Sequence, residues 1–157
     1  MSLINFRKFI VNSKEFKSLF GSIAKENGFL QAFGGWYKES SECIAILELQ
    51  KSKYGDYYML NIKIFIQGAF DRSYSPTKEL IKSPMGSIGK QIMDDVFSFD
   101  KPMPDELRKE RLKELFNNNI IPYVSNLMTK ANIIDLERKG EIVLLSSVKK
   151  ELEKLMN

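Results

Sequence analysis

The chain of 157 residues contains no histidine and a single cysteine, Cys43. Ser-His-Asp and Cys-His nucleophile systems, acid–base catalysis by an imidazole and histidine-ligated zinc all need a ring nitrogen that this sequence lacks. One cysteine cannot close an intramolecular disulfide, and Cys43 falls inside an apolar run, where a thiol behaves as a small hydrophobic side chain. The sequence therefore excludes these chemistries and predicts a buried, structural thiol.

Long apolar runs are also missing. The longest, 43–47 and 142–145, are far shorter than the roughly 20 residues that a helix needs to span a bilayer. Residues 1–12 carry Arg7 and Lys8 among their apolar side chains and show no continuous signal-peptide core and no cleavage site. These absences predict a cytoplasmic protein without membrane segments.

Charge of one sign is not concentrated anywhere in the chain. The net charge is +4, and no third of the sequence is strongly basic, whereas a nucleic-acid binder gathers Lys and Arg on one surface. With 43% hydrophobic and 28% charged residues, the composition is that of an ordinary soluble globular protein. We expect one domain over residues 1–157, because a chain of this length fits a single core.

What the sequence does contain is a clear helical pattern at both ends. Apolar side chains at three- and four-residue spacing predict an N-terminal helix that begins after an N-cap at Ser13 and ends at Gly28. A second helical pattern begins at Asp105 and should kink, or divide into two abutting helices, at Pro122, which lacks a backbone donor. Its charged residues, Arg108 among them, indicate a salt-bridged surface in solvent. A last helix should be capped by the serine pair 146–147.

The middle of the chain is rich in β-branched and aromatic residues. The segments 36–38, 42–51 and 57–67 predict an antiparallel meander, with a fourth strand from Gly86 to about residue 93. Ser75-Pro76 indicates the start of a short helix before that strand. The predicted fold class is α+β: an N-terminal helix, an antiparallel sheet of about four strands, and C-terminal helices packed on one sheet face.

Alternation along the two central strands predicts two different sheet faces. The first face carries Cys43, Ala45, Leu47 and Leu49, then Tyr58, Leu60, Ile62, Ile64 and Ile66. The second face carries Ile44, Ile46, Glu48 and Gln50, then Met59, Asn61, Lys63, Phe65 and Gln67. Cross-strand partners share a face, so paired residue numbers must add to an odd value. A sum of 107 pairs Leu49 with Tyr58 and leaves 52–55 as a loop in which Gly55 supplies an unusual backbone angle.

Several of these segments resemble one family. WYK at 36–38, ILELQKSKYG at 46–55, YYMLNI at 57–62 and NIIPYVSNLM at 119–128 are similar to a bacterial family of domains of unknown function numbered 4304, over about residues 16–129. The LQKS-x-x-G core is the most specific part. The resemblance implies a small α+β domain without an established activity, cofactor or catalytic residue. Residues 132–157 lie beyond it, as a C-terminal helical extension.

The second face is the surface most suited to binding. Its mixture of polar and apolar side chains fits a half-exposed sheet face with cross-strand polar pairs, and it also fits a groove with an apolar floor and a few convergent polar groups. Trp36, Tyr37 and Tyr54 are predicted to rim it. The candidate binding residues are Trp36, Glu48, Gln50, Lys51, Lys53, Tyr54, Asn61 and Lys63.

Three functions are compatible with this surface. The sequence favours a non-enzymatic module, immunity-type or regulatory, that recognises a protein through the second face and the 52–55 loop; Lys51 and Lys53 would suit an acidic partner. A small-molecule-binding protein or enzyme would use Glu48 as acid or base and Lys63 as an electrophile, if burial tunes both for proton transfer. A weak nucleic-acid binder would add Lys14, Lys17 and the N-terminal basic residues, but no such motif is present.

No cofactor and no metal site is predicted. The acidic residues Asp94, Asp95, Asp100 and Asp105 lack the spacing and the central glycine of an EF-hand loop. Short carboxylates of this kind accept backbone hydrogen bonds at helix ends and turns, which is the role we expect for them. The oligomeric state and the identity of any partner are left open by the sequence.

Overall fold

The computed structural model of the protein describes residues 12–157, so expectations about Arg7 and Lys8 lie outside the described residues. It confirms the α+β fold: a helix precedes an antiparallel five-stranded meander, and helices follow it. The strands, in spatial order, are β1 (Leu30–Ala32), β2 (Gly35–Glu39), β3 (Cys43–Lys51), β4 (Tyr58–Ile66) and β5 (Ile88–Ile92). The helices are α1 (Ser13–Glu26), α2 (Lys78–Ile81), α3 (Asp105–Leu115), α4 (Ile121–Ser125), α5 (Lys130–Arg138) and α6 (Ser146–Met156).

The N-terminal helix begins one residue earlier than expected. Its N-cap is Asn12, whose side-chain oxygen accepts a hydrogen bond from the Glu15 N–H at 2.9 Å, so the cap predicted at Ser13 is wrong. Gly28 ends the helix as predicted, with a φ of 88° that a side chain would disfavour. The buried stripe of α1 consists of Phe16, Phe20, Ile23 and Ala24.

The first face is covered by α1 and by the helices that follow the sheet. Its apolar side chains form one core with those of α1, α3, α4 and α6. Aromatic rings fill its centre: the Phe20 ring centroid lies 4.8 Å from that of Trp36 and 5.0 Å from that of Phe116. No helix within residues 12–157 combines the length and the apolar character needed to cross a membrane.

Trp36 lies on this first face, and its predicted place at the rim of the second face is wrong. Trp36 pairs with Leu47, and paired residues share a face, so its ring enters the core, where only 3% of the residue is exposed. Tyr37 pairs with Ile46 and lies on the second face, as predicted. Burial of the largest apolar ring decides the orientation of β2.

The pairing of β3 with β4 has the predicted parity but a different register. Leu49 pairs with Leu60, so the paired numbers add to 109 instead of 107. The connecting loop is longer, 52–57, and the Ser52 N–H donates to the Tyr57 carbonyl at 3.0 Å. Gly55 is not among the described residues with positive φ. Its surroundings are crowded instead, because an added Cβ would lie 2.7 Å from Asp100 Oδ2 and 3.0 Å from the Tyr57 ring.

The sheet has one more strand than expected. The first strand, β1, is only three residues long and pairs with β2 through a two-residue turn. Both central residues of this turn, Phe33 and Gly34, have positive φ, at 50° and 79°, as the twist of a tight hairpin requires. A phenylalanine is rare in that conformation, so the turn was not recognisable from its residues.

The short helix before β5 and the start of α6 also differ from prediction. α2 begins at Lys78, with Thr77 as the N-cap that accepts from the Leu80 N–H, and Ser75-Pro76 precedes it in a tight turn in which the Thr77 N–H donates to the Ser75 carbonyl. The cap predicted at 146–147 is wrong, because the N-cap of α6 is Leu145 and makes no side-chain bond. The helix α5 falls mostly within the C-terminal helical extension expected over 132–157, although no separate helix was predicted there.

The predicted break at Pro122 is present as a π-helical turn. Residues Phe116–Ile120 adopt this wider helix between α3 and α4, and the Ile121 N–H donates to the Phe116 carbonyl. Pro122 itself has no N–H to donate, so the chain loses a regular helical hydrogen bond at this point. The widened turn absorbs that loss without ending the helical path.

Arg108 is buried, and its predicted exposure on α3 is wrong. One guanidinium nitrogen, Nη1, donates to the carbonyls of Val96 and Ser98, both at 2.8 Å, and the group lies 4.7 Å from the Phe99 ring centroid. Burial lowers the pKa of Arg108, against the opposing charge of Asp105. The side chain therefore ties α3 to the turn that follows β5.

Candidate functional site

The second face has a covered part and an open part. The covered part is a small apolar cluster beneath the segment 74–83, which crosses the face and includes α2. The buried members of the cluster are Ile44, Ile46, Phe65, Leu80 and Ile81. Gln67 holds the start of this segment, because its side-chain amide accepts from the Tyr74 N–H at 2.7 Å and donates to the Tyr74 carbonyl at 2.8 Å. Most of the apolar floor predicted for a groove is therefore already occupied.

Lys63 holds the other end of the same segment. Its ammonium donates to Glu48 Oε1 at 3.0 Å and to the carbonyls of Ile81 and Ser83, both at 2.7 Å. Only 3% of Lys63 is exposed. An ammonium has three donors, and all three are used, so no donor of Lys63 remains for a substrate.

Glu48 and Lys63 do come together, as the enzyme hypothesis requires. Their contact, however, forms part of the attachment of α2 to the sheet. The second carboxylate oxygen of Glu48 lies 3.9 Å from the ammonium of Lys82, which is half exposed. The pair therefore compensates buried charge, and Lys63 satisfies the last carbonyl of α2 and that of Ser83 just beyond the helix end, where a cation is favoured.

The open part of the second face carries a ladder of amide side chains across three strands. Asn61 on β4 donates to Gln50 on β3 at 2.8 Å, and Gln91 on β5 donates to Asn61 at 2.8 Å. Both glutamines are exposed and Asn61 is half-buried. Two of the three were predicted site residues. Gln91 was missed because its partner on β4 depends on a register that local pattern does not determine.

The β3–β4 loop is held at both ends. At its start the buried Ser52 hydroxyl accepts from the Tyr54 N–H at 3.0 Å. At its end both carboxylate oxygens of Asp100 accept from the Asp56 N–H at 3.1 Å, and the Asp56 carbonyl accepts from the Phe99 N–H at 2.7 Å. A loop with these attachments has one preferred conformation.

The tip of this loop displays two of the predicted site residues. Tyr54 is 94% exposed and Lys53 is also exposed. Lys53 has no ion-pair partner among residues 12–157. Lys51 is engaged instead: its ammonium pairs with Asp56 and lies 5.2 Å from the Tyr58 ring centroid. The loop therefore presents an aromatic ring and a free cation together.

Two of the four acidic residues, Asp94 and Asp100, and the thiol have the structural roles predicted for them. Asp94 accepts from the Val96 N–H at 2.9 Å and Asp100 accepts from Asp56, both at turns. Within residues 12–157, no group of three or more Asp, Glu or Cys side chains is arranged to hold a metal ion. Cys43 is fully buried, and burial raises the pKa of its thiol to about 12, with a smaller contribution from Glu42.

Comparison with known families agrees with the resemblance noted from the sequence. The family described as "Domain of unknown function (DUF4304)" matches residues 20–126. The chain belongs to this DUF4304 family. No curated protein and no solved structure matches it. The matched range runs from α1 to the end of α4, so it contains the whole sheet and the β3–β4 loop and leaves out α5 and α6.

Proposed function

We propose that this DUF4304 protein is a non-enzymatic binding module that recognises a protein partner through its hairpin surface. The hairpin surface consists of the loop tip, Lys53 and Tyr54, and the adjoining amide ladder, Gln50, Asn61 and Gln91. The observation that carries the proposal is the exposure of Tyr54, 94%, on a loop that hydrogen bonds fix at both ends. An immunity-type or regulatory protein acts by occupying its target, so one such surface is sufficient for its function.

The attachment of the loop supports recognition because binding to a fixed loop costs little ordering entropy. Tyrosine brings a large ring and a hydroxyl with few rotatable bonds, and it is enriched among the residues that dominate interface energies. A depression of about 350 Å³ beside the loop has Tyr57 and Met93 in its lining and carboxylates of Asp94, Asp95 and Asp100 around them, so it suits a partner side chain without negative charge. The surface thus combines an exposed ring on a fixed backbone with a small receptor site.

The charge of the loop tip suggests the character of the partner. Lys53 is free, whereas Lys51 is paired with Asp56, so an acidic side chain on the partner would be attracted to Lys53. Such complementarity increases the association rate more than the affinity, and it weakens as salt screens the charges. The cytoplasmic location inferred from the sequence stays a prediction, as does the acidic partner.

The other two functions have less support. Catalysis by Glu48 and Lys63 would need at least one free donor, and the ammonium of Lys63 already serves three acceptors. Nucleic-acid binding would need a cluster of cations, whereas the hairpin surface offers one free lysine. Neither hypothesis explains why the most exposed aromatic ring among residues 12–157 lies on a fixed loop.

Affinity capture with matched variants tests the proposal. Immobilised wild-type protein, Tyr54→Ala and Met156→Ala are exposed to a lysate of the source organism, and the retained proteins are quantified by mass spectrometry. Met156 is 48% exposed at the end of α6, a helix that packs on the first face, so its variant controls for loss of an exposed apolar side chain outside the hairpin surface. We expect a protein that wild type and Met156→Ala retain and Tyr54→Ala loses.

The retained protein is then purified and its affinity measured by calorimetry. Loss of an interface tyrosine that anchors binding costs about 2 kcal/mol, which is a loss of affinity of about 30-fold. If wild type and Tyr54→Ala retain the same proteins with the same dissociation constants, the hairpin surface is not the recognition site.

A further inference from the structure

The outer edge of the sheet at β5 is a second candidate interaction surface. β5 pairs with β4 on one side, and among residues 12–157 no strand pairs with its other side. At the opposite edge of the sheet, β1 has three residues, whereas β5 has five. An open strand edge carries unpaired main-chain donors and acceptors with which a further strand can pair. β5 is therefore the longer of the two edges that an added strand could use.

The pairing of β4 determines which main-chain groups of β5 point outward. At the end of the β3–β4 ladder, the Ser52 N–H donates to the Tyr57 carbonyl. Hydrogen-bonded and non-hydrogen-bonded pairs alternate in an antiparallel ladder, so odd-numbered residues of β4 bond to β3 and even-numbered residues bond to β5. The residues of β5 that pair with these even-numbered residues are even-numbered as well. The N–H and C=O groups of Gly89 and Gln91 therefore point away from the sheet.

These outward groups are accessible. Gly89, Lys90 and Gln91 are exposed, and Gly89 has no side chain to cover the edge. Within the described part of the chain, no main-chain group outside β4 bonds to β5. Free donors and acceptors at every second residue of a strand match those of an extended peptide. The edge therefore suits an extended segment better than a folded surface.

Apolar side chains are exposed beside this edge. A groove of about 490 Å³, which we call the edge groove, is lined by β5, by the segment 84–87 and by Val143 and Leu145, among others. Met85, Val143 and Leu145 are each more than half exposed. Exposed apolar side chains gathered at one place are typical of interaction sites. An added strand can cover them with apolar side chains of its own.

The edge groove and the exposed charge of β5 lie toward different faces of the sheet. The side chains of Asn61 and Lys63 belong to the second face and line the groove. Lys90 pairs with Ile62, so its side chain lies on the first face. Side chains of a strand point alternately to the two faces. A strand added to β5 would therefore place one set of side chains at the groove and the other set beside Lys90.

The charge of the edge favours a partner protein over a second copy of this chain. Lys63 and Lys90 are the only charged residues that line the groove, and Lys63 is already paired with Glu48. Lys90 has no acidic partner within the described chain, and its ammonium lies 5.2 Å from the Tyr123 ring centroid. Two copies joined through β5 would bring their Lys90 side chains close together, which is unfavourable. A carboxylate on a foreign strand would pair with Lys90 instead.

We propose that the outer edge of β5 binds an extended segment of a partner protein in which apolar and acidic side chains alternate. The segment adds a sixth strand to the sheet through the main-chain groups of Gly89 and Gln91. Its apolar side chains fill the edge groove and its carboxylates face Lys90. The edge adjoins the hairpin surface at Gln91, but none of these contacts requires Tyr54, so the inference goes beyond the recognition proposed for that surface.

A peptide of defined sequence tests the proposal. The probe is a fluorescein-labelled heptapeptide in which valine and glutamate alternate, and the control peptide carries lysine in place of glutamate. Binding to the full chain is measured by fluorescence anisotropy at constant ionic strength. We expect saturable binding of the glutamate peptide, with a dissociation constant at least about tenfold lower than that of the lysine peptide. The proposal is overturned if the glutamate peptide does not saturate or if the two peptides bind equally.

Two variants of one residue test the main-chain contact. Gln91→Pro removes an outward N–H and keeps the β4–β5 hydrogen bonds, since proline is tolerated in an edge strand where its nitrogen faces solvent. Gln91→Ala removes the same side chain and keeps the N–H. With both variants folded by circular dichroism, Gln91→Pro should bind the glutamate peptide at least about tenfold more weakly than Gln91→Ala. Equal affinities would contradict strand addition.

The same contact can be tested in the peptide, which leaves the protein unchanged if Gln91→Pro does not fold. In a strand of alternating residues, the N–H groups of all valines point to one side and those of all glutamates to the other. N-methylation of one set should therefore abolish binding, and N-methylation of the other set should preserve it. If both methylated peptides bind, or if both fail to bind, the peptide does not pair along one edge and the proposal is wrong.

Charge reversal at Lys90 should exchange the preference between the two peptides. Lys90→Glu should bind the lysine peptide more tightly than the glutamate peptide, because the sign of the edge charge is reversed. Lys109→Glu makes the same change at an exposed position on α3 and should keep the wild-type preference. The same preference in both variants would contradict the pairing of an acidic segment with Lys90.

Two further measurements identify the occupant and the surface. Sedimentation equilibrium detects self-association: a wild-type dimer that Gln91→Pro dissociates would make a second copy the occupant and overturn the proposal. Tyr54→Ala should bind the glutamate peptide as tightly as wild type. Loss of binding in that variant would mean that the peptide binds the hairpin surface instead, which also overturns the proposal. A peptide that does not bind at all leaves the result of the Tyr54 capture experiment unaffected.

Discussion

The two faces of the sheet are formed by alternate residues of the same strands but are closed in different ways. On the first face, aromatic rings from α1, β2 and the C-terminal helices fill the space between layers, and Phe20 touches Trp36 and Phe116. On the second face, a short segment covers a small apolar cluster and is held by the buried ammonium of Lys63. The first closure is apolar and the second is largely polar.

This difference explains which surfaces are available for binding. Apolar closure needs large complementary areas, so helices cover the first face widely. A polar attachment needs little area, because three hydrogen bonds from the single ammonium of Lys63 can hold a segment that buries few side chains. The rest of the second face, with the amide ladder and the β3–β4 loop beside it, is left open to solvent.

The largest expected effect comes from removing the polar attachment. Lys63→Met keeps the length of the side chain but leaves the carbonyls of Ile81 and Ser83 without a donor and Glu48 without its closest cation. We expect the free energy of unfolding to fall by about 2–4 kcal/mol in urea titrations. Limited proteolysis should also become faster within 74–83.

The control for this change is Lys82→Met. Lys82 is half exposed and its ammonium lies 3.9 Å from the same carboxylate, so its loss should cost less than about 1 kcal/mol. If the two variants are equally stable, the apolar cluster holds the segment without help from Lys63. The distinction between the two closures would then be wrong.

A smaller effect, on the first face, should depend on pH. Burial keeps the Cys43 thiol protonated up to a pKa of about 12, whereas an exposed thiol in the unfolded chain ionises near 9. The unfolded state therefore releases a proton that the folded state keeps, and stability is lost as the pH rises between these values. We expect about 1 kcal/mol of extra loss between pH 9 and pH 10, measured by urea unfolding against Cys43→Ala.

The variant is needed because tyrosines also ionise at high pH, and burial raises the pKa of Tyr74 and Tyr123. Those groups affect wild type and Cys43→Ala alike, so the difference between the two proteins belongs to the thiol. Equal pH dependence in both would mean that the first face admits a thiolate, and that it is less apolar than its packing indicates.

The membership of each face was predictable from sequence because strand alternation has a period of two and does not depend on register. Cys43, Leu47 and Ile62 lie on the covered first face for that reason. The register itself was not predictable. It depends on a loop held by Asp100, which is 44 residues from Asp56 in the chain.

Sequence predicted the candidate site only for residues whose position depends on neighbours close in the chain. Tyr54 and Lys53 lie at a turn that the sequence marks, and they are exposed. Lys63 was expected to be available, but its acceptors come from 18 and 20 residues further along the chain. Trp36 was assigned to the wrong face because its orientation depends on pairing with Leu47.

The smallest expected effect distinguishes the open part of the second face from the covered part. Asn61→Ala removes the centre of the amide ladder and both of its hydrogen bonds, at 2.8 Å each. These bonds are exposed to water, which can replace them, so the free energy of unfolding should change by less than about 1 kcal/mol. Urea titration beside Lys63→Met measures the contrast. A loss as large as that of Lys63→Met would make the ladder a structural element. If Asn61→Ala loses little stability but binds a captured partner more weakly, the three aligned amides serve recognition and not folding.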